Sequence, residues 1–453
     1  MASIPAQIFK AYDVRARVDL LTPEAAYLIG RALGTEASAQ KHHKLVVGRD
    51  GRLSSPALSD ALIRGLVDSG IDVLDLGLVA TPMMYFAAIR HADGCGAIVT
   101  GSHNPPDYNG IKVMLGGGTV GGRALKGLYD RIVRDDFVDG GGQVIPLDVD
   151  AEYRSAIVAS QPLARPLKVV VDCGNGVPGA FVPELYRALG CDVTELFCEV
   201  DGRFPHHHPD PQVEANVADL KRVVLEQRAD VGLAFDGDGD RLGVVTPDGR
   251  FVPGDKLLML FAAAELARQP GGHVLYDVKS TGALSGWIGA HGGSSEIIAT
   301  GHTHMKQRMK ETGALVAGEL SGHFAFAGWG FDDGLYASVK LLQLIAGGQN
   351  LNEAFSALPT RLSTPELQLP VAGDGHDLVD RVATTATFPT ATAVLRVDGL
   401  RIEYPDGFGL IRASNTTPVL TLRIEADHGD AMLRIRDELA TALLPLPFPV
   451  FAI

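Results

Sequence analysis

Cysteine is scarce in this chain. Cys95, Cys173, Cys191 and Cys198 are the four among 453 residues, and none shows a C-x-x-C spacing. Neither a thiolate metal site nor a disulfide scaffold is expected, and reduced, partly buried thiols follow. Positive charge is also short: 40 Lys and Arg stand against 54 Asp and Glu, a net charge of −14. With no basic tract to follow a phosphate backbone, nucleic acid is not an expected partner. An anionic small molecule is still compatible, provided cations gather locally in a cleft. Long apolar runs are missing too. The longest, Leu257 to Ala264, is far short of a membrane span and reads as a buried helix. The opening residues Met1 to Gln7 lack a charged segment followed by an apolar one, so no signal peptide is expected. These absences predict a cytoplasmic protein with no membrane partner.

What is present is rhythm. The length predicts two to four domains. Short β-branched runs, Lys44–Val47, Val73–Leu76, Leu167–Val171, Val231–Phe235 and His273–Tyr276, alternate with helix-length segments. That alternation predicts α/β architecture with largely parallel strands. Between the first two runs, Ser55 is the expected N-cap of a helix, with Pro56 at its first position. Leu58, Leu62 and Leu66 share one face, and Gly70 ends it. A helix-to-strand junction recurs at Gly70-Ile-Asp-Val73, Gly190-Cys-Asp-Val193 and Gly313-Ala-Leu-Val316, which suggests duplicated α/β domains. Boundaries are expected near residues 140–142, 251–254 and 362–365. The C-terminal part loses the rhythm, with strand patterns at Ala393–Val397 and Val419–Ile424 and a final helix. It reads as a separate α+β domain.

Four polar loops each follow a strand-like run. In Val99-Thr-Gly-Ser-His-Asn-Pro-Pro106 a single hydroxyl, Ser102, sits in a stiff, glycine-entered turn, as a nucleophile or phosphate carrier would. The same residues also make ordinary turns. Asp236-Gly-Asp-Gly-Asp-Arg241 places three carboxylates at alternate positions with glycines between, so several oxygens can face one hard cation. A calcium EF-hand fails on detail, since its sixth position would be Arg241 and its twelfth Pro247. Magnesium shared with a phosphoryl oxygen suits the loop better. Gly318-Glu-Leu-Ser-Gly-His323 offers Glu319 and Ser321 to vicinal hydroxyls. Arg412-Ala-Ser-Asn-Thr-Thr-Pro418 offers Arg412, Ser414, Asn415 and Thr416 to a phosphate dianion. Lys10, Arg15, Lys112, Arg241 and Lys279 are the further cations that the acidic chain would need locally.

With these loops in this order, the chain resembles the α-D-phosphohexomutase superfamily over nearly its whole length. Phe9-Lys-Ala-Tyr-Asp-Val-Arg15 is similar to the N-terminal FRxYDIRG, and Thr100 to Lys112 to the phosphoserine loop. The three loops downstream are similar to the metal loop, the GExSGH sugar loop and the RxSNTxP phosphate loop. Residues 201–214 resemble the PDGxFPNHHPDP segment, which argues against a metal-binding cluster at His206 to His208. The sugar loop is closer to the bacterial phosphomannomutase/phosphoglucomutase group than to the glucosamine enzymes, which usually carry glutamine where Leu320 stands. Lys10, Ala16 and Thr417 depart from the pattern, where arginine, glycine and glutamate are usual.

The resemblance implies four domains round a central cleft: three related α/β domains with mixed sheets, and a C-terminal α+β lid. Their expected spans are 1–146, 147–252, 253–362 and 363–453, with the lid hinging near Ser363 to Pro365. It implies reversible phosphoryl transfer between C1 and C6 of glucose and mannose phosphates, through phosphorylated Ser102 and a sugar 1,6-bisphosphate. Mg2+ would be held by Ser102, Asp236, Asp238 and Asp240, with glucose 1,6-bisphosphate or its equivalent as activator. His103, Lys112 and His323 are open as general acid or base, and Arg15 and Arg241 assist. Tyr12, Lys279, Thr300, Gly301, His302, Glu319 and Ser321 are expected on the substrate, and Arg412, Ser414, Asn415 and Thr416 on the phosphate that is not reacting. The implied partners are small sugar phosphates, and the implied assembly is a monomer or homodimer. Rivals are a glucosamine- or pentose-phosphate mutase, a magnesium-dependent phosphatase, and a sugar-phosphate sensor without catalysis.

Overall fold

A computed structural model describes residues 4–414 and 419–451. The chain forms two compact units, one holding residues up to Leu257 with Ser321–Ser356, the other Leu258–Leu320 with Ala357 onward.

Three times the chain runs strand, helix, strand, helix, strand, with its first strand in the middle. In the first unit, Lys44–Arg49 lies parallel between Asp72–Leu78 and Gly96–Val99. Lys168–Asp172 lies likewise between Asp192–Leu196 and Val231–Phe235. In the second unit, His273–Asp277 lies between Ser294–Ile298 and Val316–Gly318. The middle strands are covered on both faces, which is why Leu45-Val-Val47 and Val169-Val-Val171 are continuous apolar runs, all at 0 % exposure. Where the second and third strands fall on opposite sides of the first, a crevice opens beyond the carboxyl ends. Thus each third strand delivers a polar loop to such a crevice: Ser102 after Val99, Asp236 after Phe235, Glu319 after Gly318.

The recurring glycines have one physical role. Gly70, Gly190 and Gly313 have φ of +81°, +84° and +68°, turning a helix end into the next strand through left-handed backbone. The apolar run from Leu257 falls inside the helix Gly254–Arg268, with Leu257 to Ala262 buried. The helix at Ser55–Val67 differs from expectation at its start. Its N-cap is Ser54, whose side chain makes no capping bond. Ser55 Oγ instead donates to Asp50 Oδ1 at 2.5 Å and accepts from Asn109 Nδ2 at 2.9 Å, because a buried carboxylate is the stronger acceptor.

Antiparallel strands complete the sheets of the first unit. Tyr108–Leu115 pairs with Gly96–Val99 and sets Lys112 opposite Ile98. Val14–Arg17 pairs with the same strand and sets Arg15 opposite Gly110. In the second unit, Leu400–Tyr404, Gly407–Ala413 and Val419–Ala426 form an antiparallel sheet. The helices Gly375–Thr385 and Gly429–Ala442 pack on it. The first of these helices was not expected, because it buries only Val379 and Val382 and presents a thin apolar stripe. The segment expected to hinge is sheet-bound: Leu362 and Ser363 pair with Ala426 and Glu425, and the Thr364 N–H donates to the Ile424 carbonyl at 2.9 Å. Among the described residues, no helix is long and apolar enough to cross a membrane.

Candidate active site

Ser102 is 2 % exposed and left-handed at φ +48°, a conformation that costs a residue with a Cβ about 1–2 kcal/mol. The turn that imposes it is heavily tied. The Ser102 N–H donates to Thr100 Oγ1 at 2.9 Å, and Asp50 Oδ2 accepts the Gly101 N–H at 3.1 Å. Arg15 donates to the Gly101 carbonyl at 3.1 Å and to Asn104 Oδ1 at 2.5 Å, and pairs with Asp13. So held, Ser102 Oγ donates to Asp236 Oδ2 at 2.7 Å.

The acidic loop folds as its glycines allow. Gly239 is left-handed at φ +80°. A Cβ on Gly237 would lie 2.4 Å from the Ser102 carbonyl oxygen, so only glycine lets the two loops touch. Asp236 Oδ1 accepts the N–H groups of Gly239 and Arg241 at 3.0 and 3.1 Å. Thr81 fixes Asp238 by its N–H on the Asp238 carbonyl, 2.9 Å, and its hydroxyl on Oδ2, 2.6 Å. Lys112 Nζ lies 2.7 Å from Asp238 Oδ2 and 2.5 Å from Asp240 Oδ2.

These contacts divide three neighbouring carboxylates electrostatically. Burial, then Asp238 and Asp240, push Asp236 well above the usual carboxylate range. Burial acts most strongly against charge on the other two as well, yet Lys112 with Thr81 holds Asp238 low, and Lys112 with His323 and Arg241 holds Asp240 low. Burial likewise opposes the Lys112 ammonium, and Asp238 and Asp240 reverse it, raising its pKa. One oxygen from each aspartate lies within 4.8 Å of the others. Asp238 Oδ1 is buried without a hydrogen bond among the described residues, and Asp240 Oδ1 faces His323 Nε2 at 3.3 Å. Hard, converging carboxylate oxygens are the donor set a divalent cation requires. The acidic loop could therefore hold a metal ion.

The histidines flank this centre differently. His323 Nε2 lies 3.3 Å from Asp240 Oδ1, with Nδ1 2.9 Å from Ser321 Oγ. His103 Nδ1 lies 3.1 Å from Asp210 Oδ2, and its side chain keeps 31 % exposure. Packing around the ring and the Arg241 cation still push His103 down to about 4, so it is neutral near pH 7. Tyr12 is half-buried in the turn before Val14–Arg17.

The second unit gathers the remaining expected residues. Glu319 Oε1 accepts the Gly301 N–H at 2.6 Å, and Thr300 Oγ1 donates to Asp277 Oδ2 at 3.0 Å. Lys279 pairs with Glu366 at 2.7 Å. His302 Nδ1 lies 3.0 Å from Lys306 Nζ. Arg412 Nε donates to Asp398 Oδ2 at 2.6 Å, and the same oxygen accepts the Thr300 N–H at 3.2 Å. The Ser414 N–H donates to the Val419 carbonyl at 2.9 Å. Asn415 and Thr416 lie outside the described residues.

Residues 6–139, 151–249, 253–362 and 366–442 match, in order, the phosphoglucomutase/phosphomannomutase α/β/α domains I, II and III and the C-terminal domain. The chain belongs to the phosphoglucomutase/phosphomannomutase family. A phosphoglucomutase of Neisseria meningitidis serogroup A is 52 % identical over 445 residues, 97 % of each chain. A phosphomannomutase/phosphoglucomutase of Pseudomonas aeruginosa is 47 % identical over 457 residues, 98 % of each. The crystal structure of a phosphoglucomutase/phosphomannomutase family protein from Burkholderia thailandensis superposes with a TM-score of 0.94 at 46 % identity. It covers 99 % of this chain and 100 % of that one. The protein is thus a phosphohexomutase of four α/β and α+β domains.

This phosphohexomutase has more residues packed against its centre than the candidate list holds. Asp50, Arg52, Thr81 and Asp210 touch the serine and acidic loops, and Asp13 pairs with Arg15. One signal was available for Asp50. An aspartate stands at or just after the end of each middle strand, Asp50, Asp172 and Asp277. Asp50 accepts the Gly101 N–H and Asp277 the Leu320 N–H, each two residues beyond a third strand.

Proposed function

We propose that this phosphohexomutase moves a phosphoryl group between the C1 and C6 oxygens of glucose and mannose phosphates, with Ser102 as the carrier. The observation that carries the reading is the buried Ser102 hydroxyl bonded at 2.7 Å to Asp236, inside a cage of three carboxylates compensated by Lys112. A hydroxyl meant only for structure needs no such charge around it.

In the forward half, the phosphoserine P–Oγ bond breaks as the free sugar hydroxyl forms its own bond to phosphorus. The hydroxyl proton passes to a base and a proton returns to Ser102 Oγ, giving a 1,6-bisphosphate. In the second half the other phosphate returns to Ser102. Positioning and electrostatics supply most of the rate in such transfers. Asp236, Asp238, Asp240 and a phosphoserine oxygen would hold Mg2+, which supplies charge stabilisation on the transferring group. Lys112 and Arg241 add fixed positive charge. His323, seated between Asp240 and Ser321, is the group we assign to the proton at the sugar oxygen. His103, paired with Asp210, stays neutral and packs the turn. Glu319 and Ser321 take sugar hydroxyls; Lys279, Thr300, Gly301, His302, Arg412 and Ser414 take the sugar and the resting phosphate. A 1,6-bisphosphate added from outside would reload an unphosphorylated Ser102 and so act as activator.

The test is a panel of glucose, mannose, glucosamine and pentose 1-phosphates, followed for the 6- or 5-phosphate. Turnover of glucose and mannose phosphates by the wild type, and its loss in Ser102→Ala with sugar-phosphate binding retained, is the expected result. Full turnover by Ser102→Ala, or release of inorganic phosphate in place of isomer, would overturn it.

A further inference from the structure

Arg52 is one of the largest fully buried side chains of the protein, at 1 % exposure, and nothing in the motifs above accounts for it. Its guanidinium lies under the serine turn and donates to four backbone carbonyls, three in that turn and one at the start of the strand that follows. Nη2 reaches Ser102 O at 2.7 Å and Asn104 O at 2.6 Å. Nη1 reaches Pro105 O at 2.5 Å and Tyr108 O at 3.0 Å. Asp50 balances the charge, with Oδ2 3.3 Å from Nε, and its other oxygen accepts the Arg52 N–H at 3.0 Å. The Phe204 ring covers the guanidinium with its centroid 4.9 Å from Cζ.

The fit explains two glycines. A Cβ on Gly101 would lie 2.3 Å from Arg52 Nε, and one on Gly202 would lie 2.6 Å from Arg52 Cα. The serine turn closes on the guanidinium, and the segment at Gly202 closes on the Arg52 backbone. Burial lowers the pKa of the guanidinium, and Asp50 opposes that shift. A buried charge is unfavourable unless it is paired and hydrogen-bonded, and here Asp50 and carbonyls at and beside the serine turn meet that need.

We infer that Arg52 is a positioning residue for phosphoryl transfer, its planar fork fixing the Ser102 backbone in the left-handed conformation that aims Oγ at Asp236. A lysine ammonium, a single point donor on a flexible stem, cannot span carbonyls spread from residue 102 to residue 108. The inference rests on Ser102 being the carrier.

The test uses the full-length protein with glucose 1-phosphate. Phosphate on Ser102 of the wild type, read by mass spectrometry, checks the carrier reading separately. Its complete absence from active enzyme would sink that reading whatever Arg52 does. In Arg52→Lys we expect kcat to fall by about 100-fold, the order that a misplacement of about 1 Å produces. KM should stay within about 3-fold, and Ser102 should still accept phosphate. A merely structural role would lower the melting temperature and leave kcat intact below it. Wild-type kcat in folded Arg52→Lys overturns the proposal. Should that variant not fold, Phe204→Ala decides: exposing the guanidinium to water should cut kcat several-fold at unchanged KM, and wild-type kcat there overturns it as well.

Discussion

Lys112 Nζ is bonded to two carboxylates of the acidic loop, and replacing it by methionine exposes the balance of charge there. The residue is 3 % exposed, and both of its carboxylate partners are at 0 %. Removing one partner of a buried ion pair costs about 3–5 kcal/mol, because the charge left behind is uncompensated. At roughly 2 °C per kcal/mol for a large unit, the melting temperature of Lys112→Met in chelator should fall by about 6–10 °C. A divalent cation in the cage restores the missing positive charge. Saturating Mg2+ should therefore raise the variant's melting temperature more than that of the wild type, where about 100-fold excess over Kd is worth ~2.7 kcal/mol. Differential scanning calorimetry with chelator and with Mg2+ reads both quantities without any activity assay. An equal loss in both conditions, or no loss in chelator, would refute the account of an acidic loop whose charge is balanced by Lys112 together with a metal.

Exhaustive chelation of the wild type should stop turnover while circular dichroism at 222 nm stays unchanged; surviving activity removes the metal role of Asp236, Asp238 and Asp240. Asp333, buried at 1 % exposure, accepts from Tyr153 Oη, Trp329 Nε1 and the Tyr336 N–H, yet burial pushes it up to about 6. A raised folded pKa favours the fold below the unfolded value near 3.8, and that contribution is lost as pH rises through about 6. Urea denaturation of the wild type should thus weaken by roughly 2–3 kcal/mol from this group between pH 4 and pH 7, with Asp333→Asn flattening that part of the profile. Arg401, fully buried, donates to the Val278 and Ser280 carbonyls at 2.7 and 2.8 Å, bracketing Lys279. Arg401→Ala should lose about 2–4 kcal/mol of stability and raise KM for the sugar phosphate more than it lowers kcat, as steady-state kinetics would read.

The parallel cores were legible because strands covered on both faces must be apolar along their length, and each middle strand was found within two residues at either end. The serine and acidic loops were legible for a chemical reason: three carboxylates around two glycines have few uses without a cation. What supports those loops was not legible. Arg52 and Thr81 act through backbone carbonyls of residues far away in sequence, and a carbonyl leaves no trace in residue type. Ser55 misled for a related reason. Its local context was that of a helix cap, but Asp50 and Asn109 compete for its hydroxyl, and only tertiary structure brings Asn109 there. The helix Gly375–Thr385 escaped notice because two valines suffice to seat it.

Gly237 rests directly on the Ser102 carbonyl, and this contact bears on the reversibility of the enzyme. Under the proposed exchange, the Ser102 backbone and the carboxylates around it keep one arrangement while the phosphate leaves Ser102 in one half-reaction and returns in the other. The reorientation of the catalytic cycle then falls to the sugar, which would turn end for end between the two transfers. Under that exchange a C1 oxygen and a C6 oxygen would meet the same carboxylates and the same Lys112, and the two half-reactions would differ chiefly by the intrinsic chemistry of an anomeric and a primary phosphate. The equilibrium between them belongs to the substrate, and the protein contributes a stationary platform on which it is reached from either direction.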